Sequence, residues 1–112
     1  MMGNPRIEVV PHCEGGEGQV TFKHLLEAPE MHGVCGLYAE VTVYPGSSVG
    51  WHVHTGESET YYILSGVAEY NDNGRVRRVY PGETTYTPDG CGHEIRPFGK
   101  EPLVFIALII RT

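Results

Sequence analysis

Long apolar runs are missing from this chain. The longest, Leu103–Ile110, has eight residues, which suits a buried strand and falls well short of a membrane-spanning helix. Helical stretches are missing too: no ten residues combine a helix-period apolar stripe, good caps and freedom from breakers. Positive charge is scarce. Eight Lys and Arg stand against fourteen Asp and Glu, a formal charge of −6, so a phosphate backbone is repelled and nucleic acid is not an expected partner. Arg75, Arg77 and Arg78 form the one basic cluster and read as a solvated strand surface. Cysteine is limited to Cys13, Cys35 and Cys91, with no CxxC spacing, and Met-Met-Gly-Asn-Pro-Arg at the start lacks the apolar core of a signal peptide. The expectation is a cytoplasmic protein with reduced thiols and no membrane association. Gly-x-Ser-x-Gly, a P-loop and Gly-x-Gly-x-x-Gly after a strand are all absent.

Turn-forming residues are plentiful. Fifteen Gly and eight Pro divide 112 residues into short apolar segments, the pattern of an all-β protein of one domain spanning 1–112. Strands are expected at 37–44, 60–64, 67–70, 75–80, 84–87 and 103–110, ending at turn signals such as Pro45-Gly46, Ser65-Gly66 and Pro81-Gly82. Asn73-Gly74 suits a tight hairpin turn whose two central residues need positive φ. Gly15-Gly16-Glu17-Gly18 reads as a flexible loop. Such close, regular turns indicate a sandwich or barrel. In the last strand both alternating sets are apolar. Leu103, Phe105, Ala107 and Ile109 are expected to fill the interior. Val104, Ile106, Leu108 and Ile110 need a cover, either a second subunit, giving a homodimer, or the N-terminal segment.

The chemistry concentrates at residues 46–66 and 82–97. His52 and His54, two apart on a strand, project to the same face. Thr55–Ser58 can turn the chain, so Glu59 begins a second strand able to pair with the first and bring a carboxylate to the imidazoles. A Pro88-Asp89-Gly90 turn delivers His93. Three imidazoles and a carboxylate match borderline transition metals (Mn or Fe first, then Zn, Ni, Co or Cu), and suit Ca or Mg poorly. Four protein ligands on an octahedral ion leave two adjacent positions for a small ligand. Glu57 is the alternative carboxylate, and Cys91 a thiol near the site. His12, His24 and His32 have no partners at ligand spacing. Tyr61 shares the parity of Glu59 and is the candidate catalytic residue, a hydroxyl for a bound substrate. Tyr44, Phe105 and Ile109 are expected to line the same cavity, with Trp51 pointing away.

These positions resemble the two cupin motifs. Gly46, His52, His54, Glu59 and Gly66 meet every spacing of the first. Gly82, Pro88, Gly90 and His93 meet the second, which ends here at Pro97 rather than Asn. Fifteen residues separate the motifs, as in compact cupins. The resemblance implies a double-stranded β-helix, or jelly-roll, barrel. It also implies a metal-dependent activity of dioxygenase, decarboxylase, isomerase or epimerase type on a small carboxylate, keto or enediol substrate. The alternative is a non-catalytic module holding an oxalate-like or sugar-acid ligand.

Overall fold

The computed structural model describes residues 2–112. Ten strands run in order: β1 (Arg6–Pro11), β2 (Gln19–His24), β3 (Cys35–Val43), β4 (Val49–Val53), β5 (Glu57–Ser65), β6 (Ala68–Asp72), β7 (Arg75–Val79), β8 (Thr84–Thr87), β9 (Gly92–Pro97) and β10 (Leu103–Arg111). A single 3-10 turn (Cys13–Gly15) and one four-residue helix, α1 (Ala28–Met31), interrupt them. The strands form two antiparallel sheets, β1-β2-β3-β10-β5-β8 and β4-β9-β6-β7, packed as a jelly roll. All six strands expected from the turn signals are present. The Asn73-Gly74 hairpin joins β6 and β7 with φ of 51° and 100° at its two central residues.

Alternation along the strands makes the core. Val20, Val41, Val43, Ile63, Leu103 and Phe105 from the larger sheet meet Val49, Ala68, Tyr70, Val79 and Ile95 from the smaller one, all buried. β10 lies at the heart of its sheet between β3 and β5, which accounts for the apolar inner set Leu103, Phe105 and Ala107. Its outer set, Val104, Ile106, Leu108 and Ile110, is not covered by the N-terminal segment. That segment supplies β1 and β2, which extend the sheet edge beyond β3 instead of crossing its face. The pattern of two apolar sets is real, but this chain covers only one of them.

A second expectation also needs correction. The strand carrying Glu59 does not pair with the one carrying His52. β4 pairs with β9, whereas β5 pairs with β10 and β8 in the opposite sheet. The backbone explains this. His54 N donates to Cys91 O and Gly90 N donates to His54 O, so the chain leaving β4 is tied to the loop before β9 and crosses between sheets instead of folding back as a hairpin. The glycine-rich stretch after Cys13 is likewise ordered. Glu17 N donates to Ser48 Oγ, Ser48 N to Glu17 O, and Gly16 and Gly50 approach so closely that a side chain on either would meet backbone within 3 Å. Among the described residues, no helix is long and apolar enough to cross a membrane.

Candidate metal centre

His52 and His93 are direct cross-strand partners in β4 and β9, so their side chains stand on one face of the small sheet. His54 follows one residue after β4, and Glu59 reaches in from β5 on the facing sheet. The four side chains converge across the barrel. His93 Nε2 lies 3.0 Å from His54 Nε2, 3.1 Å from His52 Nε2 and 3.0 Å from Glu59 Oε1. Glu59 Oε1 is also 3.0 Å from His54 Nε2 and 3.8 Å from His52 Nε2. His54, Glu59 and His93 are buried and His52 is half-buried.

The outer nitrogens of the rings show what such a cluster is for. His52 Nδ1 is 2.7 Å from the Gly50 carbonyl and His54 Nδ1 is 2.6 Å from Glu57 Oε2. Both acceptors can only accept, so both Nδ1 atoms carry hydrogen, and the neutral rings turn bare Nε2 lone pairs inward. His93 Nδ1 meets the hydroxyls of Tyr70 (2.8 Å) and Thr87 (2.9 Å), which also bond each other at 2.9 Å. Three ring nitrogens and a carboxylate oxygen facing one another repel unless a cation sits among them. Two ligand atoms about 2.1 Å from one ion and at right angles stand about 3.0 Å apart. The donor set and its spacing therefore fit a divalent metal ion, which His52, His54, Glu59 and His93 would hold.

Without a metal, protons take that role. Burial works to raise the Glu59 carboxyl, but the three imidazoles facing it, those of His54 and His93 at 3.0 Å, outweigh it and hold the group well below its usual range. The His54 imidazole is raised from 6.5 to about 9, first by its bond to Glu59 and, against burial, by Glu57. His93 moves the other way because burial dominates.

A cavity of about 190 Å³ opens onto His52, His54 and Glu59. Phe22, Leu37, Val41, Val49, Val53, Phe105, Ala107 and Ile109 give it apolar walls, joined by Glu57, Cys13 and Glu14. Tyr61 also lines it, stacked on His93 with ring centroids 4.9 Å apart and tilted against Phe105 at 4.4 Å. Burial raises the Tyr61 phenol well above its ordinary value, so it stays protonated as a donor. Phe105 and Ile109 line the cavity as expected. Tyr44 does not: it ends the strand on the surface and is 54% exposed. Trp51 points away from the cluster, its indole lying over Gly92. Cys91 contributes its backbone carbonyl to His54 and stays outside both the lining and the donor cluster. Cys13 faces the cavity instead, its thiol pushed up to about 11, mainly by burial. Nothing in the local sequence marks Cys13, because the turn carrying it docks through tertiary contacts with β4. The roles of Tyr70, Thr87 and Glu57 behind the imidazoles were equally invisible, although Glu57, three residues after His54, stood out as a second carboxylate. His12 and His24 have local partners, Gly16 O and Glu8 Oε1, and His32 caps α1.

Residues 39–109 match the family model for the cupin domain. An oxalate-binding protein of Thermotoga maritima is 41% identical over 103 residues, which is 92% of this chain and 85% of that one. The oxalate decarboxylase of Bacillus subtilis is 35% identical over 75 residues, 62% of this chain but only 20% of that protein. A crystal structure titled a "predicted oxalate decarboxylase" from Thermotoga maritima superimposes with a TM-score of 0.93, at 37% identity, covering 99% of this chain and 100% of that one. A family model spanning more than half of the residues, together with a relative this similar along nearly the whole length, establishes that the chain belongs to the cupin family.

Proposed function

We propose that this chain holds a divalent transition metal, Mn or Fe, at His52, His54, Glu59 and His93, and presents it to a small oxygen-rich ligand that chelates through two oxygens. The observation that carries this reading is the cluster of four inward-facing acceptor atoms bordering a small cavity. About 190 Å³ lies below the range of about 300–1,000 Å³ common for drug-sized ligands, so the ligand is compact: a dicarboxylate, keto acid or enediol. Among these, an oxalate-like dianion is favoured, because oxalate appears in the names of the similar Thermotoga and Bacillus proteins.

Bound there, the ion supplies Lewis-acid polarisation of ligand oxygens and, as Mn or Fe, redox chemistry with O₂. The chain's own residues do the rest. Tyr61 offers its phenolic proton to a ligand oxygen, and Phe105, Val41 and Ala107 keep bulk water off the chelate. On this reading the protein is an enzyme of decarboxylase, dioxygenase or isomerase type. The test is to incubate Mn-loaded protein with oxalate, with and without O₂, and to follow formate and CO₂. Formate and CO₂ in equal amounts, lost in His52→Ala/His54→Ala, support turnover. The second reading, a binding module, is favoured by one observation: the Tyr61 phenol stays protonated, and of the two carboxylates lining the cavity outside the ligand set, Glu57 is engaged by His54 Nδ1 and Glu14 is exposed to solvent. Saturable oxalate binding with no product over hours decides for that reading.

Assembly follows from the uncovered sheet face. Val104, Ile106 and Leu108 share it with Tyr62, Leu64 and Tyr86, which are 43%, 42% and 62% exposed, and we propose a homodimer through this surface. Light scattering at micromolar concentration should give twice the chain mass, reduced to one chain mass by Leu64→Asp with Tyr62→Asp. Cys13, Cys35 and Cys91 are free thiols, which fits a reducing cytoplasm.

A further inference from the structure

Each of the three imidazoles is held from behind by a different acceptor. For His52 it is a backbone carbonyl, and for His93 a pair of buried hydroxyls, all neutral. For His54 it is the carboxylate of Glu57, at 2.6 Å, the shortest of these contacts. Glu57 is the first residue of β5, two before Glu59, so both acids project from the same face of that strand toward the same end of the barrel. Its side chain is part of the cavity lining, yet its carboxylate stands outside the group of four converging donor atoms. Among the described residues no Lys or Arg lies within ion-pair distance of it, and His54 is its one cationic partner.

We propose that Glu57 is a positioning residue of the metal centre with two opposed effects: it fixes His54 so that Nε2 faces the metal, and it sets a second negative charge on the wall of the ligand cavity. This rests on the metal-binding reading above. The first effect follows from hydrogen-bond roles. A carboxylate only accepts, so it selects the tautomer with hydrogen on Nδ1, locks the ring rotation and makes Nε2 a better donor of its lone pair. The second follows from charge. A divalent ion beside Glu59 and Glu57 is balanced by two carboxylates, so an anionic chelator arriving in the cavity gains less than it would beside Glu59 alone. Glu57 thus favours the metal and disfavours anions with excess charge.

A merely structural role predicts no such opposition, and this makes the test direct. The full chain is compared with Glu57→Gln and Glu57→Ala, with circular dichroism and thermal melts of the metal-free proteins as the folding control. Mn²⁺ affinity is read by competition with a chromophoric chelator, and oxalate affinity of the Mn-loaded proteins by calorimetry. Glu57→Ala should bind Mn²⁺ about 10–100-fold more weakly. Glu57→Gln should fall between, because the amide oxygen still accepts from Nδ1. Loaded Glu57→Gln should bind oxalate several-fold more tightly than the unmodified protein. Mn²⁺ affinity of Glu57→Ala within twofold of the original overturns the positioning role. Oxalate affinity of Glu57→Gln equal to or below the original overturns the charge effect. Failure of the underlying reading looks different: Mn²⁺ then binds the unmodified protein and His52→Ala/His54→Ala alike, or binds neither.

Discussion

Raising the pH from 7 to 9 should tighten metal binding steeply, and the structure sets the size of the effect. In the metal-free protein His54 titrates at about 9. Its Nδ1 hydrogen is committed to Glu57, so the proton lost at that pH is the one on Nε2, the atom the metal needs. Below pH 9 each metal ion bound must expel that proton, and affinity rises about tenfold per pH unit. Between pH 7 and 9 the gain from His54 is about 50-fold, because the group is half deprotonated at pH 9. His52 steepens the curve. Burial alone would lower it, but the Glu59 carboxylate 3.8 Å away and the bond to Gly50 O raise it, so it too holds a proton to higher pH. His93, lowered by burial, adds nothing in this window. Stability of the metal-free protein runs the opposite way. A raised imidazole stabilises the fold below its unfolded value of 6.5, and that contribution is lost as pH climbs through about 9. Glu59, lowered in the fold, stabilises above the ordinary carboxylate range, and its contribution is lost as pH falls below that range. Chelator competition in non-coordinating buffers at half-unit steps measures the affinity, and urea titration of the metal-free protein measures the stability. An affinity that changes less than about threefold from pH 7 to 9 refutes the proton-exchange account.

Two further outcomes concern the scaffold. Gly66 holds φ of +77° at the turn after β5, and a Cβ there would sit 2.3 Å from the Pro102 carbonyl oxygen. Left-handed strain and a backbone clash combine, so Gly66→Ala should lose about 2–4 kcal/mol in urea unfolding, and an unchanged midpoint would contradict that geometry. Phe105 is buried between Tyr61 and the β10 neighbours and also walls the cavity. Phe105→Ala should cost about 3–5 kcal/mol by the same assay while leaving Mn²⁺ stoichiometry at one, because no metal-facing atom is removed.

The parts of this molecule legible in the sequence are those set by local periodicity. His52 and His54 share a face because strands alternate, Tyr61 and Ile63 share the inward parity of Glu59, and Asn73-Gly74 makes its hairpin because both residues tolerate positive φ. Strand pairing was not local. Thr55–Ser58 reads locally as a turn that returns the chain beside the His52 strand, and hydrogen bonds with the loop before β9 make it a crossing between sheets instead. β1 carries no alternating signal because it is the edge strand, where Ile7 and Val9 remain exposed and no buried stripe forms. Gly15-Gly16-Glu17-Gly18, just after Cys13 and Glu14, reads in sequence as a flexible glycine loop. Its order comes from Ser47, Ser48 and Gly50, some thirty residues away in sequence. Tyr44 is not a cavity residue because the inward positions of β3 are Ala39, Val41 and Val43, and position 44 falls on the opposite, outward parity.

On the proposed function, His52, His54, Glu59 and His93 hold one divalent transition metal. Elemental mass spectrometry of protein purified without an affinity tag, beside the His52→Ala/His54→Ala variant, tests it most directly. The account predicts one equivalent of Mn or Fe per chain in the unmodified protein and none in the variant, with both folded by circular dichroism. Absence of metal from the unmodified protein even after reconstitution, or equal metal in the two proteins, would contradict it.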